Sequence, residues 1–254
     1  MQPVSTRVMN LSQFLTDSAR RQPEEIGLVW GEETWAWSAL EARATAFAAA
    51  LRDRYGMRKG DRLLVQSANC NQMFEAAFAC WKLGCVWVPA NFRQTPEEVA
   101  WLAMSSGAKG LLAGAEFAGH IAACKDVAFT VTIGADGEDD YDTLVSEFAG
   151  APVAVTEVDR DDPAWFFFTS GTTGKPKAAV LTHGQLAFVI TNHLCDLMPG
   201  TGPDDASIVV APLSHGAGIH QLTQVAHGVK TILPGGTKFD PAEVWRLVAK
   251  WRVT

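Results

Sequence analysis

The sequence predicts an α/β fold of layered sheets flanked by helices. Two observations carry this expectation. Short apolar runs alternate with amphipathic helical stretches as far as residue 133, and apolar and charged residues make up 48% and 19% of the 254. Strand, helix, strand, helix is the order of a parallel sheet covered on both faces. Such a chain is folded rather than disordered, and it buries enough surface to need no disulfide or metal staple. One large domain or two small ones fit the length.

Residues 27–30 and 34–37 flank Gly31-Glu32-Glu33, a short connection that predicts a hairpin. From Ser38, the residues Leu40, Ala44, Phe47 and Leu51 recur at steps of three and four, the spacing of one helix face. Ser38 with Glu41 predicts a capping box there, and Gly56 follows the end. Residues 63–65 read as a buried strand and 73–83 as a helix closed by Gly84. The strand 85–88 ends at Pro89, which has no N–H to donate to a ladder. Thr95-Pro96-Glu97-Glu98 opens a helix with a capping threonine, a proline at the first helical position and acids facing the dipole, and it stops at Gly107. Residues 111–112 and 129–133 continue the strands, with an Ala-rich helical segment between them.

The stretch 136–142 is acidic but lacks the ligand spacing of a calcium loop, so it reads as a solvated loop. Residues 151–163, rich in Pro, Ala and acids, read as a subdomain boundary. Beyond them Trp165-Phe166-Phe167-Phe168 is a strand too apolar to face water on either side.

With 21 Lys+Arg against 28 Asp+Glu, the net charge is −7 and the basic residues are scattered. Nucleic acid and anionic membrane surfaces are therefore not the expected partners. No apolar run approaches the roughly 20 residues of a membrane span, and residues 1–7 do not begin a secretory leader. The expected location is the cytoplasm. Cys70, Cys80, Cys85, Cys124 and Cys195 form no CxxC pair and read as reduced, mostly buried hydrophobes. His120, His183, His193, His220 and His227 show no metal-ligand spacing.

The most informative stretch follows the apolar strand. Thr169-Ser170-Gly171-Thr172-Thr173-Gly174-Lys175-Pro176-Lys177 combines four hydroxyls, two glycines and two lysines. Glycines let backbone N–H groups approach phosphate oxygens, hydroxyls add donors, and lysine supplies charge. The spacing is not that of the P-loop, because Thr169 replaces its first glycine and Pro176 replaces the Ser/Thr that would hold magnesium. Pro176 also forbids the helix that a P-loop feeds, and the apolar run 178–181 predicts a second strand. A mobile loop between two strands is expected.

From Phe168 to Lys177 the sequence closely resembles the signature loop of the acyl-adenylate-forming (AMP-binding) enzymes, the family of acyl-CoA synthetases, luciferases and peptide-synthetase adenylation domains. Trp81-Lys82-Leu83-Gly84-Cys85-Val86-Trp87-Val88-Pro89 resembles the family's Lys-x-Gly-x-x-x-x-Pro segment, and Gln22-Pro23, the hairpin and residues 37–40 resemble its usual beginning. Ala178 departs from the family's glycine after the Pro-Lys pair. The resemblance implies an enzyme that activates a carboxylic acid with ATP and Mg2+ and passes the acyl group to coenzyme A. Thr169, Ser170, Gly171, Thr172, Thr173, Gly174 and Lys177 would then bind the ATP phosphates.

Residues 207–211 are strand-like and lead into Pro212-Leu213-Ser214-His215-Gly216-Ala217-Gly218. By resemblance to the Pro-Leu-x-His-x-x-Gly segment of acyl-CoA synthetases, His215, Gly216, Ala217 and Gly218 border the acyl pocket. An esterase also uses a His-Gly-x-Gly turn, but it needs a Gly-x-Ser-x-Gly elbow that this sequence lacks. Ser214 and His215, read as adjacent on an extended segment, would face opposite sides and form no dyad. The amino-acid-activating branch typically has a Phe-Asp pair in this region. Here there is no nearby acid, so a fatty or other carboxylic acid without an α-amine is favoured.

Asp240 caps a last helix with the stripe Val244, Leu247, Val248 and Trp251. The family's Gly-x-Thr-Glu segment associated with magnesium, its ribose-holding aspartate, its hinge and its C-terminal domain with a catalytic lysine have no counterpart before Thr254. Residues 1–254 are thus expected to be the N-terminal part of the AMP-binding domain, inactive alone, with no catalytic residue of its own and a tendency to self-associate. The alternative is a short paralogue that binds nucleotide or acyl groups without turnover.

Overall fold

A computed structural model describes residues 6–169, 175–236 and 238–254. Strand β1 (Arg7–Val8) and helix α1 (Gln13–Arg21) precede the expected hairpin of β2 (Ile26–Trp30) and β3 (Glu33–Ala36). Trp30 pairs with Glu33, and Gly31 takes φ +59 to make so tight a turn. Helix α2 (Trp37–Asp53) buries Leu40, Ala44, Phe47 and Leu51 as its spacing requires.

The capping box expected at Ser38 and Glu41 does not form. The cap falls two residues earlier, at Ala36, which offers no side-chain acceptor, and the helix begins at Trp37. Glu41 turns instead to the Lys82 ammonium and the Thr16 hydroxyl. A lysine only 3% exposed needs a counter-charge more than a helix start needs a second acceptor.

Next come β4 (Arg62–Gln66), α3 (Asn71–Lys82), β5 (Val86–Pro89), α4 (Pro96–Ser106), β6 (Gly110–Gly114), α5 (Ala118–Ala123) and β7 (Phe129–Ile133). The capping box of α4 is present, with Thr95 accepting from the Glu98 N–H and Glu98 from the Thr95 N–H. Helix α6 (Tyr141–Glu147) is capped by Asp140, which accepts from the Asp142 and Thr143 N–H groups. Glu138 and Asp139 pair with Arg54 in an exposed loop, but the solvated loop expected over 136–142 is corrected at its end, where Asp140 is buried as the cap and residues 141–142 already belong to α6. Residues 151–157 run without regular structure into β8 (Val158–Asp159), which pairs with β1.

The chain continues with β9 (Pro163–Thr169), β10 (Lys177–Thr182), α7 (His183–Asn192), β11 (Ala206–Ile208), α8 (Gly216–His227), β12 (Lys230–Leu233) and α9 (Pro241–Trp251). The main sheet has the order β10-β9-β5-β4-β6-β7, parallel except for β10 at one edge. Along β4, Leu63 and Val65 pack with α2 and α3, whereas Leu64 packs with Val99 and Leu102 of α4. Helices therefore cover both faces, as the strand–helix alternation predicts. A second sheet, β11-β12-β2-β3, joins the hairpin to strands some 200 residues away. Among the described residues no helix is long and apolar enough to cross a membrane.

The expectation that the 165–168 strand is closed to water on both sides is corrected. Trp165 is fully buried, but Phe166, Phe167 and Phe168 are half-buried. Their outer neighbour β10 is an edge strand whose residues 177–180 are exposed, so the sheet ends one strand later and water reaches its margin. The strand expected over 207–211 is also shorter, with β11 covering Ala206–Ile208 and the Val209 N–H making one further bond to the Ile232 carbonyl. Cys70, Cys80, Cys85 and Cys124 are buried free thiols, and Cys195 is exposed.

Candidate functional site

Thr169 ends β9, Lys177 begins β10, and the two lie opposite each other in the antiparallel ladder. The connection between them is therefore flanked by strands on both sides, as Pro176 requires. Ser170, Gly171, Thr172, Thr173 and Gly174 lie outside the described residues, and so does the loop mobility expected of them. Ala178 sits in the ladder opposite Phe168, where its methyl is exposed.

A cleft of about 450 Å³ opens between the end of β5, the start of α4 and this connection. Thr169 and Pro176 line one side of it, Ser214 and His215 another, and Asn91, Gln94 and Glu98 a third. Thr169 and His215, 46 positions apart in the two motifs that the sequence singles out, thus meet in one space. The carboxyl ends of parallel strands are where α/β sheets bind ligands.

His215 stands at the end of a turn and precedes the first residue of α8. Its Nε2 lies 3.1 Å from Asn91 Nδ2, and its ring meets Phe167 edge-on at 5.6 Å. The Asn91 carbonyl oxygen accepts from the Arg93 N–H, so the amide NH2 faces the imidazole and donates to it. Asn69 pins the turn from below, accepting from the Leu213 N–H at 2.8 Å and donating to the Ala211 carbonyl at 2.9 Å.

Ser214 and His215 correct an expectation. They lie in a turn rather than on a strand, so both line the same cleft. The Ser214 hydroxyl is buried with no partner among the described residues. The small residues that follow divide in role. A Cβ on Gly216 would meet open space, whereas one on Gly218 would strike the Leu213 carbonyl and the Trp165 ring. Gly218, with half-buried Ala217, seats α8 on β9. Lys177, Gly216, Ala217 and Gly218 are not among the cleft's lining residues.

Asn91 and Asn69 were not legible as site residues. The available signal was position alone, because each follows the carboxyl end of a buried parallel strand. Among the described residues no group of three or more His, Cys, Asp or Glu side chains is placed to hold a metal ion.

A family profile described as "AMP-binding enzyme" matches residues 15–254. A feruloyl-CoA synthase from Amycolatopsis sp is 32% identical over 253 residues, covering 98% of this chain and 48% of that protein. An indoleacetate–CoA ligase from Aromatoleum aromaticum is 27% identical, covering 97% of this chain and 49% of its own length. The chain thus spans about half the length of these relatives. Among solved structures, the N-terminal domain of FACL13 from Mycobacterium tuberculosis superposes with a TM-score of 0.86 at 25% identity, covering 97% of this chain and 62% of that one. The O-succinylbenzoate coenzyme A synthetase of Bacillus subtilis, in complex with AMP, gives 0.81 at 26% identity, covering 95% and 60%.

Proposed function

Because the chain belongs to the AMP-binding enzyme family, we propose that it forms the N-terminal part of an ATP-dependent acid–thiol ligase, an acyl-CoA synthetase. The observation that carries this reading is the single cleft joining Thr169 and Pro176 to Ser214 and His215. In the first step a carboxylate oxygen attacks the α-phosphorus of ATP, forming an acyl-adenylate as pyrophosphate leaves. In the second the coenzyme A thiol attacks the acyl carbon and AMP departs.

In this reading Thr169, Ser170, Gly171, Thr172, Thr173, Gly174 and Lys177 hold the β- and γ-phosphates. Their N–H, hydroxyl and ammonium donors stabilise charge that grows on the departing pyrophosphate. His215 borders the acid with Gly216 beside it, its ring orientation fixed by Asn91 so that no reorganisation is needed when substrate arrives. No cluster among the described residues would hold a magnesium ion, which in this reading would neutralise charge on the nucleotide's phosphates.

The acid lacks an α-amine. Among the described residues lining the cleft, the sole carboxylate is Glu98, and it is already engaged at the head of α4. Two of the relatives are named for aromatic acids, ferulate and indoleacetate, and Phe168 lines the cleft while Phe167 meets the His215 ring. An aryl-bearing carboxylic acid is the favoured substrate class.

A thermal-shift screen of aryl, fatty and amino acids, each with ATP and Mg2+, tests this reading. Stabilisation that needs both ATP and an aryl acid is expected. Thr169→Ala and Lys177→Ala should each weaken ATP binding by about 1.5 to 3 kcal/mol, the worth of a charge-assisted hydrogen bond. Equal shifts with amino acids, or ATP binding indifferent to both substitutions, would refute it. ATP binding without any acid-dependent shift would point to the non-catalytic paralogue.

A further inference from the structure

Strand β9 alternates its faces. Trp165 and Phe167 pack on the side of α2, α3 and α8, whereas Phe166 and Phe168 pack with Val99 and Leu102 of α4. On this second side the half-buried Trp101 of α4 reaches the exit arm of the 170–176 connection. The Lys175 ammonium lies 4.0 Å from the Trp101 ring centroid. The indole Nε1 donates to the Pro176 carbonyl at 3.4 Å. One side chain from another element therefore holds two consecutive residues through two chemically independent contacts.

Indole offers a cation the most favourable face of the aromatic side chains, and its edge N–H seeks an acceptor. Pro176, with φ fixed by its ring, presents that acceptor from a stiff backbone. Three residues before Trp101 on the same helix, Glu98 lines the cleft. Helix α4 thus supplies a wall of the cleft and also grips the arm that leads into β10.

We infer that Trp101 is a positioning residue for the arm that leads into β10, holding Lys175 and Pro176 against α4. The value of this anchor to catalysis rests on the phosphate-binding reading above, whereas the anchoring itself does not.

Limited trypsin digestion of the 254-residue chain reads the anchor directly. Trypsin does not cut before proline, so Lys177–Ala178 reports on this arm and Lys175–Pro176 stays silent. Trp101→Leu and Lys175→Gln should each speed cleavage at Lys177–Ala178 about fivefold relative to other tryptic sites, while Trp101→Phe, which keeps a ring face, stays within about twofold of the parent. The double variant should be no faster than Trp101→Leu alone, because that substitution already removes the Lys175 contact. Lys175→Gln alters an exposed side chain and keeps the test open if Trp101→Leu does not fold. Parental rates in both single variants, or effects that multiply in the double one, would overturn the inference. ATP added to the parent separates the two readings. Slower cleavage at Lys177–Ala178 is expected, and unchanged cleavage would remove the catalytic value of the anchor while the variants still judge the anchoring.

Discussion

His183 opens α7 with its ring fully buried, its Nδ1 accepting from the Leu11 N–H at 3.3 Å. Burial pushes its pKa down to about 4, against the opposing pull of Asp162. Above pH 6.5 the ring is neutral in both folded and unfolded chains. As pH falls from 6.5 towards 4, the unfolded chain takes up a proton that the folded one refuses, so stability drops across that window and levels off below it. The full span is worth about 3 kcal/mol, and roughly 2 of these are lost by pH 5. Urea unfolding at pH 7 and pH 5 checks this. His183→Asn, which keeps an acceptor, should be less pH-sensitive than the parent by that amount, and identical pH dependence would refute the assignment. Nothing local in the sequence marks this histidine, since its partner Leu11 lies 172 positions away. Glu41 shows the same limit. Its spacing from Ser38 suggests a cap, and the demand of buried Lys82 decides otherwise.

At the scale of elements, α8 depends on a glycine for its seat. An added methyl at Gly218 collides with the Leu213 carbonyl and with Trp165 on β9, so the helix must shift or tilt. Gly218→Ala should destabilise the fold by about 1 to 3 kcal/mol, as overpacking does. Gly216→Ala places its methyl in open space at the first turn of the same helix and should change stability by less than about 0.5 kcal/mol. Thermal melts of the two variants check the pair, and equal losses would show that Gly218 is not the contact that seats α8. Helix α4 was legible in full because Thr95, Pro96, Glu98 and Gly107 make its signals within a few residues of its ends. Strand β9 was legible as a strand but not in its exposure, because that depends on whether a further strand lies beyond β10.

At the scale of the molecule, the chain spans 48% of the feruloyl-CoA synthase it resembles, and no described cluster fits magnesium. The 254 residues incubated with ATP, Mg2+ and a panel of aryl and fatty acids should release no pyrophosphate above the enzyme-free rate. On the proposed reading these residues would meet chiefly the pyrophosphate end, and such a site discriminates little between ground and transition states. Robust acid-dependent release would show that these residues suffice. The sequence by itself determined the α/β class, the boundaries of α2, α3 and α4 and the start of α9 to within about two residues, the strand-to-strand setting of the 170–176 connection and the family, because caps, periodicity and a dense motif all act within about ten residues. Only the tertiary structure decided the order β10-β9-β5-β4-β6-β7, the recruitment of the hairpin beside β12, and the meeting of Thr169 with His215 and Asn91 in one cleft. Those pairings join residues far apart in sequence, and it is the burial of both sheet faces, rather than any local preference, that selects among the arrangements the same elements allow.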